Sequence, residues 1–243
     1  MRERSTKLVG EFLVIVVGVL AALAVDDYRD VRADRTFEAH LLSGIRADLE
    51  RDTVDAGAVI RAAQGRAAAA DEILAMLGDP VAGRIQAMAW NLDQHLIAAR
   101  ELYAPGSVSQ GVALLLLADQ RRLDLSDASF SQAIASGRLD VIGNLELRSA
   151  IATHYFNARR YERADERVEA ASQRLRDALG MVGLSLSDAV VGSEVVELVR
   201  GSPQAVAELK NAREFALRQA EWNTLFMQSA QAVLAELVAA SER

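Results

Sequence analysis

One carboxylate stands where a charge is costly. Glu11 follows Gly10 and precedes Phe12–Val25, an uncharged run reading FLVIVVGVLAALAV. A carboxylate deep in a bilayer costs several kcal/mol and marks function, as in the proton-carrying acids of ion-driven stators. One turn from the helix start it is simply an anion favoured by the N-terminal dipole. Both readings stand on sequence alone. The three histidines, His40, His95 and His154, have no second histidine at metal-ligand spacing and read as structural residues. Arginines alternate with acids from Arg159 to Arg167, a pattern of solvated i,i+4 pairs, with an anion site among them as the sharper alternative. There is no phosphate loop, dinucleotide fingerprint or nucleophile elbow. No cofactor, metal or catalytic residue is implied, and the chain reads as a non-enzyme.

Composition narrows the chemistry further. With 27 Lys+Arg against 34 Asp+Glu the chain carries a formal charge of −7, which argues against a nucleic-acid partner. Absence of Cys excludes disulfides, thiolate catalysis and Cys-ligated metals. Only 3 of 243 residues are Pro, and 51% are hydrophobic, so the chain reads as all-α.

The first segment reads as a membrane anchor. Leu8–Val25 supplies about 18 residues of largely apolar helix, enough to cross a bilayer. Arg2, Arg4 and Lys7 precede it, whereas Asp26 and Asp27 follow it, with Tyr28 as an interfacial aromatic. The positive-inside rule then places residues 1–7 in the cytoplasm, 8–28 in the bacterial inner membrane and 29–243 in the periplasm. Arg29, Arg32 and Arg35 oppose that orientation. Ala22-Leu23-Ala24 also resembles a signal-peptide cleavage site, but the apolar run exceeds the usual h-region. Gly10, Gly18 and Ala22 share one helix face, a small-residue surface suited to a second copy or another membrane protein.

Beyond the anchor, apolar residues step by three and four. One stripe runs from Phe37 through Ile45, Leu49, Ile60 and Leu74 to Leu77 and stops at Gly78-Asp79-Pro80, with Ser43-Gly44 or Gly57 as possible kinks. A helix is expected over 84–102, then a short apolar piece over 112–118 and a helix capped by Ser126 or Asp127. Asn144 to Leu179 carries a heptad seam with polar intrusions at Asp165 and Ser172, ended by Gly180 and Gly183. A short helix over 188–199 and a last one opened by Ser202-Pro203 complete an expected elongated antiparallel helical bundle. The last helix has Gln231, Glu236 and Glu242 among its apolar residues, so it is not a second span.

Two segments carry a family resemblance. The first is Gly10-Glu11-Phe12-Leu13 with the following apolar run to Asp26-Asp27-Tyr28. The second is Ser136-Gly137-Arg138-Leu139-Asp140-Val141-Ile142, then Asn144, Leu147-Arg148, Ile151 and Tyr155. Together they resemble a family of uncharacterised bacterial single-pass membrane proteins, a domain of unknown function. Asp27-Tyr28 replaces that family's usual Asn-Trp, and His154-Tyr155 its Tyr-Tyr pair. The resemblance implies a membrane location and a helical architecture, and no activity.

The second motif also has a physical reading. Ser136 and Gly137 end one helix, Leu139 and Ile142 plug the turn, and Asn144 caps the next helix. Leu147 belongs to the seam of that helix, and Arg148 lies one turn into it, near the turn's carbonyls. A structural corner and a ligand or partner site are the two roles this permits. The expected function is binding or assembly at the membrane, with a sensor or a Glu11-dependent stator-like subunit as the alternative.

Overall fold

A computed structural model describes residues 2–78, 117–118, 120–186 and 193–241, with side chains from Val16 onward. Five α-helices are present among the described residues: α1 (Arg2–Met76), α2 (Ala128–Ala135), α3 (Leu145–Met181), α4 (Ser193–Arg200) and α5 (Pro203–Ser241). A 3-10 turn, Leu139–Val141, joins α2 to α3. No strand occurs among the described residues, so the all-α expectation holds. The expected helix over 84–102 and the apolar piece over 112–116 lie outside the described residues.

The chain divides into two compact units, to both of which α1 and α3 contribute. Unit 1 is residues 1–48 and 127–149, and unit 2 is residues 49–126 and 150–243. In unit 1 the buried face of α1 (Leu41, Ile45) accompanies Phe130, Ala133, Ile142 and Leu147. α1 runs unbroken through Ser43-Gly44 and Gly57, where a kink was possible. Gly44 serves close packing instead, since a Cβ there would lie 2.5 Å from Ser129 Oγ.

Unit 2 is a bundle built on α1, α3 and α5. One cluster joins Ala70, Ile73 and Leu74 of α1 to Leu175 and Leu179 of α3 and Leu209 of α5. Another joins Ala56 and Val59 to Ala158 and Phe226. Residue numbers rise together along α1 and α3 and fall along α5. So α5 runs antiparallel to both, while α1 and α3 run parallel, which corrects the expected all-antiparallel arrangement. The reason is the long connection after Gly78: in unit 1 the chain is back beside residues 34–48 of α1 before α3 begins. Parallel neighbours require such a return.

The seams follow the sequence with instructive exceptions. Every α3 seam position from Leu147 to Leu179 is buried except Tyr161, which is half-buried. α3 continues through Gly180, and Gly183 at φ +75 is its stop. On α5, the apolar Ala212 and Trp222 are half-buried, whereas Arg213 and Asn223 are buried. Pro203 opens α5 as expected, with Ser202 Oγ accepting from Ala205 N at 3.2 Å.

The apolar N-terminal segment is helical throughout. Among the described residues no helix is long and apolar enough to cross a membrane. The side chains of residues 8–15, the first eight of the expected anchor, lie outside those described.

Candidate functional site

The corner in unit 1 forms as its sequence dictates. α2 ends in a paired arrangement: Gly137 N donates to Ile134 O at 3.1 Å and Arg138 N to Ala133 O at 3.0 Å. That pattern needs a left-handed residue at Gly137, and its φ is +67. The Ser136 hydroxyl donates back to Gln132 O at 2.9 Å. Ile142 is fully buried and Leu139 half-buried, so Ile142 is the chief plug. Asn144 Oδ1 accepts from the backbone N–H groups of Glu146 and Leu147, at 3.0 and 3.2 Å. Arg148 reaches Asp140 O at 3.3 Å.

Residues of α1 complete the corner, and they were not legible beforehand. Glu38 accepts from Gly143 N at 2.9 Å, and Asp34 pairs with Arg138 at 2.6 Å. The Arg138 guanidinium also lies 3.9 Å from the Phe37 ring centroid. The start of α2 shows a correction: Asp127 stands at the cap position but makes no side-chain cap bond. Asp48 Oδ2, from α1, accepts from Ser129 N at 3.3 Å instead. The polar groups of the corner thus bond mainly to one another, at the surface of unit 1.

Of the anchor residues, Glu11 and Gly10 lie outside the described side chains. Gly18 has open space where a Cβ would stand, and Ala22 is exposed.

Unit 2 holds a buried polar tract. Gln219 Nε2 donates to Asp165 Oδ1 at 2.8 Å and to Arg121 O at 3.3 Å, while Gln219 Oε1 accepts from Arg66. Burial raises the Asp165 pKa, opposed by the Gln219 bond, the Leu123 backbone and the charges of Arg122 and Arg66. Arg213 and Asp71 form a second, two-pronged pair with both side chains 8% exposed. His154 lies 3.1 Å from Ser229 Oγ through Nδ1 and packs against Tyr155 and Phe226 at centroid distances of 5.1 and 4.9 Å. Burial lowers its pKa to about 4. Among the described residues no three His, Cys, Asp or Glu gather as metal ligands.

The surface of unit 2 carries a cavity lined by charged and aromatic side chains. A half-open cavity of about 450 Å³ lies against α3 and α5. Arg160, Arg163 and Arg167 line it with Asn157 and Tyr161, and Trp222 faces them from α5. The arginine run was visible in the sequence. That Trp222 lines the same cavity is a property of the folded bundle.

Compared with protein-family models, curated proteins and solved structures, the chain matches none.

Proposed function

We propose that this is a single-pass membrane protein that acts by binding or assembly. Residues 1–7 form a cytoplasmic tail, 8–28 the anchor, and 29–243 a periplasmic helical region. One observation carries the reading. Val17, Val19, Leu20, Leu23 and Val25 are each 50–61% exposed. At about 100° per residue these side chains point in every direction round α1. A helix apolar on all sides belongs inside a protein core or a bilayer, and exposure of such a surface to water is unfavourable. The flanking charges, Arg2, Arg4 and Lys7 against Asp26 and Asp27, favour a cytoplasmic N-terminus. The family resemblance points the same way.

Fusion reporters test the topology. Alkaline phosphatase placed after Arg243 is expected to be active, and a fluorescent protein that matures only in the cytoplasm is expected to stay dark there. The opposite pattern overturns the exported arrangement. Equal signals in the soluble fraction overturn the anchor itself.

Assembly would use the Gly10/Gly18/Ala22 face. Lipid tails give helices no hydrophobic reason to pair, so close backbone approach at small residues supplies the contact energy. In a transmembrane two-hybrid assay of residues 5–30, Gly18→Ile is expected to abolish the signal and Val17→Ile to retain it. Equal effects of the two substitutions refute pairing through this face.

A further inference from the structure

We propose that the arginine-lined cavity of unit 2 binds a small organic phosphate carrying a planar ring, the chemistry of an aryl phosphate. The inference goes beyond membrane anchoring and does not depend on it. Arg160, Arg163 and Arg167 step by three and four, so their guanidinium groups share one face of α3 over about 10 Å of helix. Arg122, Arg138, Arg174, Arg200, Arg213 and Arg218 all meet a carboxylate. Among the described residues, the three cavity arginines meet none. Among the described residues, one side-chain hydrogen bond involves any of them, from Arg163 Nε to the Arg159 carbonyl oxygen, at 3.3 Å. Acids outnumber bases by seven in this chain, yet these three guanidiniums on one helix face are left for an anion from outside.

The cavity suits such a ligand in size and chemistry. About 450 Å³ lies in the range of small-molecule sites, roughly 300–1,000 Å³. Guanidinium forks match phosphate oxygens in two-pronged geometry, which a lysine ammonium does not. The half-buried Tyr161 and Trp222 bring two aromatic rings to the same lining as the charges. Asn157 adds an amide that can donate or accept. An inorganic anion would use the arginines and leave the rings idle. A neutral aromatic would do the reverse.

Trp222 is also the reporter. The chain has two Trp, so Trp90→Phe leaves Trp222 as its only indole. The full chain carrying Trp90→Phe, in detergent micelles, is titrated with phenyl phosphate, inorganic phosphate and phenol. Phenyl phosphate is expected to quench Trp222 saturably, to bind at least about ten-fold tighter than inorganic phosphate, and to lose affinity with added salt. Phenol is expected to give no saturable change. Arg160→Gln and Arg167→Gln should each weaken phenyl phosphate about ten-fold, the loss of one charge-assisted bond. Arg160→Lys should fall between, and Arg200→Gln, outside the cavity, should bind as the parent does. Circular dichroism on each variant separates lost binding from lost folding. Three results overturn the proposal: no saturation below roughly 10 mM, equal affinity for phenol and phenyl phosphate, or unchanged affinity in both glutamine variants.

Discussion

Arg213→Met is expected to destabilise the folded chain by roughly 3–5 kcal/mol, because it strands the Asp71 carboxylate inside the bundle. Both side chains of the pair are 8% exposed, so water cannot take over the role of the lost guanidinium. For a chain of this size the melting temperature should fall by roughly 6–20 °C. Asp71→Leu alone should cost a similar amount by leaving the guanidinium buried. The double variant should recover most of the loss, since two apolar side chains of similar volume need no partner. Thermal unfolding followed by helical circular dichroism in micelles gives all three numbers. Single-variant losses below about 1 kcal/mol would mean the pair behaves as an exposed ion pair, and the buried assignment would be wrong.

Such a pair raises the question of what it contributes that leucines would not. The α1 surface in unit 2 is rich in alanine: Ala56, Ala63, Ala67, Ala69 and Ala70 are all buried. Short side chains let helices approach closely but interlock weakly, so they define register poorly. Arg213–Asp71 and the Arg66–Gln219–Asp165 tract supply what the alanines lack. Sliding α5 by one turn along α1 would separate each donor from its acceptor and leave it buried and unpaired. The double variant of Arg213 and Asp71 removes one of these two pins and leaves the other. Its unfolding should therefore remain cooperative.

What sequence could read here was local, and what it could not read was paired at a distance. The α3 seam was visible because polar Asp165 and Ser172 keep the same step as the apolar positions around them. The corner was visible because Gly137, Asn144 and the Arg148–Asp140 contact span only a few residues. On α5 the apolar residues alone do not show the period. Continuing the four-and-three step from Leu209 leads to Arg213, Ala216, Ala220 and Asn223, all of them buried. Polar type concealed the period. Asp48 and Asp52 were missed for another reason: the backbone groups they accept from, at Ser129 and Ser126, lie 81 and 74 residues away. No local pattern encodes those bonds. The arginine run was legible as charge, but lack of acidic partners and the facing Trp222 are properties of the folded bundle.

The histidine that completes the α3 seam makes stability depend on pH in a defined window. His154 is 1% exposed, and burial lowers its pKa from 6.5 to about 4. Between those values the unfolded chain holds the extra proton and the folded chain does not. Stability is therefore complete above about pH 6.5, declines as pH falls towards about 4, and gains no further loss from this group below that. The total is roughly 2–4 kcal/mol at about 1.4 kcal/mol per pH unit. Carboxylates titrate near the lower edge of the same range. Asp165 acts in the opposite sense, because its raised pKa makes the folded state take up a proton as pH falls. Comparison with His154→Gln removes these shared contributions. Glutamine can still meet Ser229 and does not titrate, so the difference between parent and variant isolates the imidazole. The parent should be the more stable protein at pH 7.5, and its advantage should shrink by roughly 2–4 kcal/mol by pH 4. Parallel stability curves for the two proteins would show that the imidazole is protonated in place, with water reaching a ring that the bundle is here held to exclude.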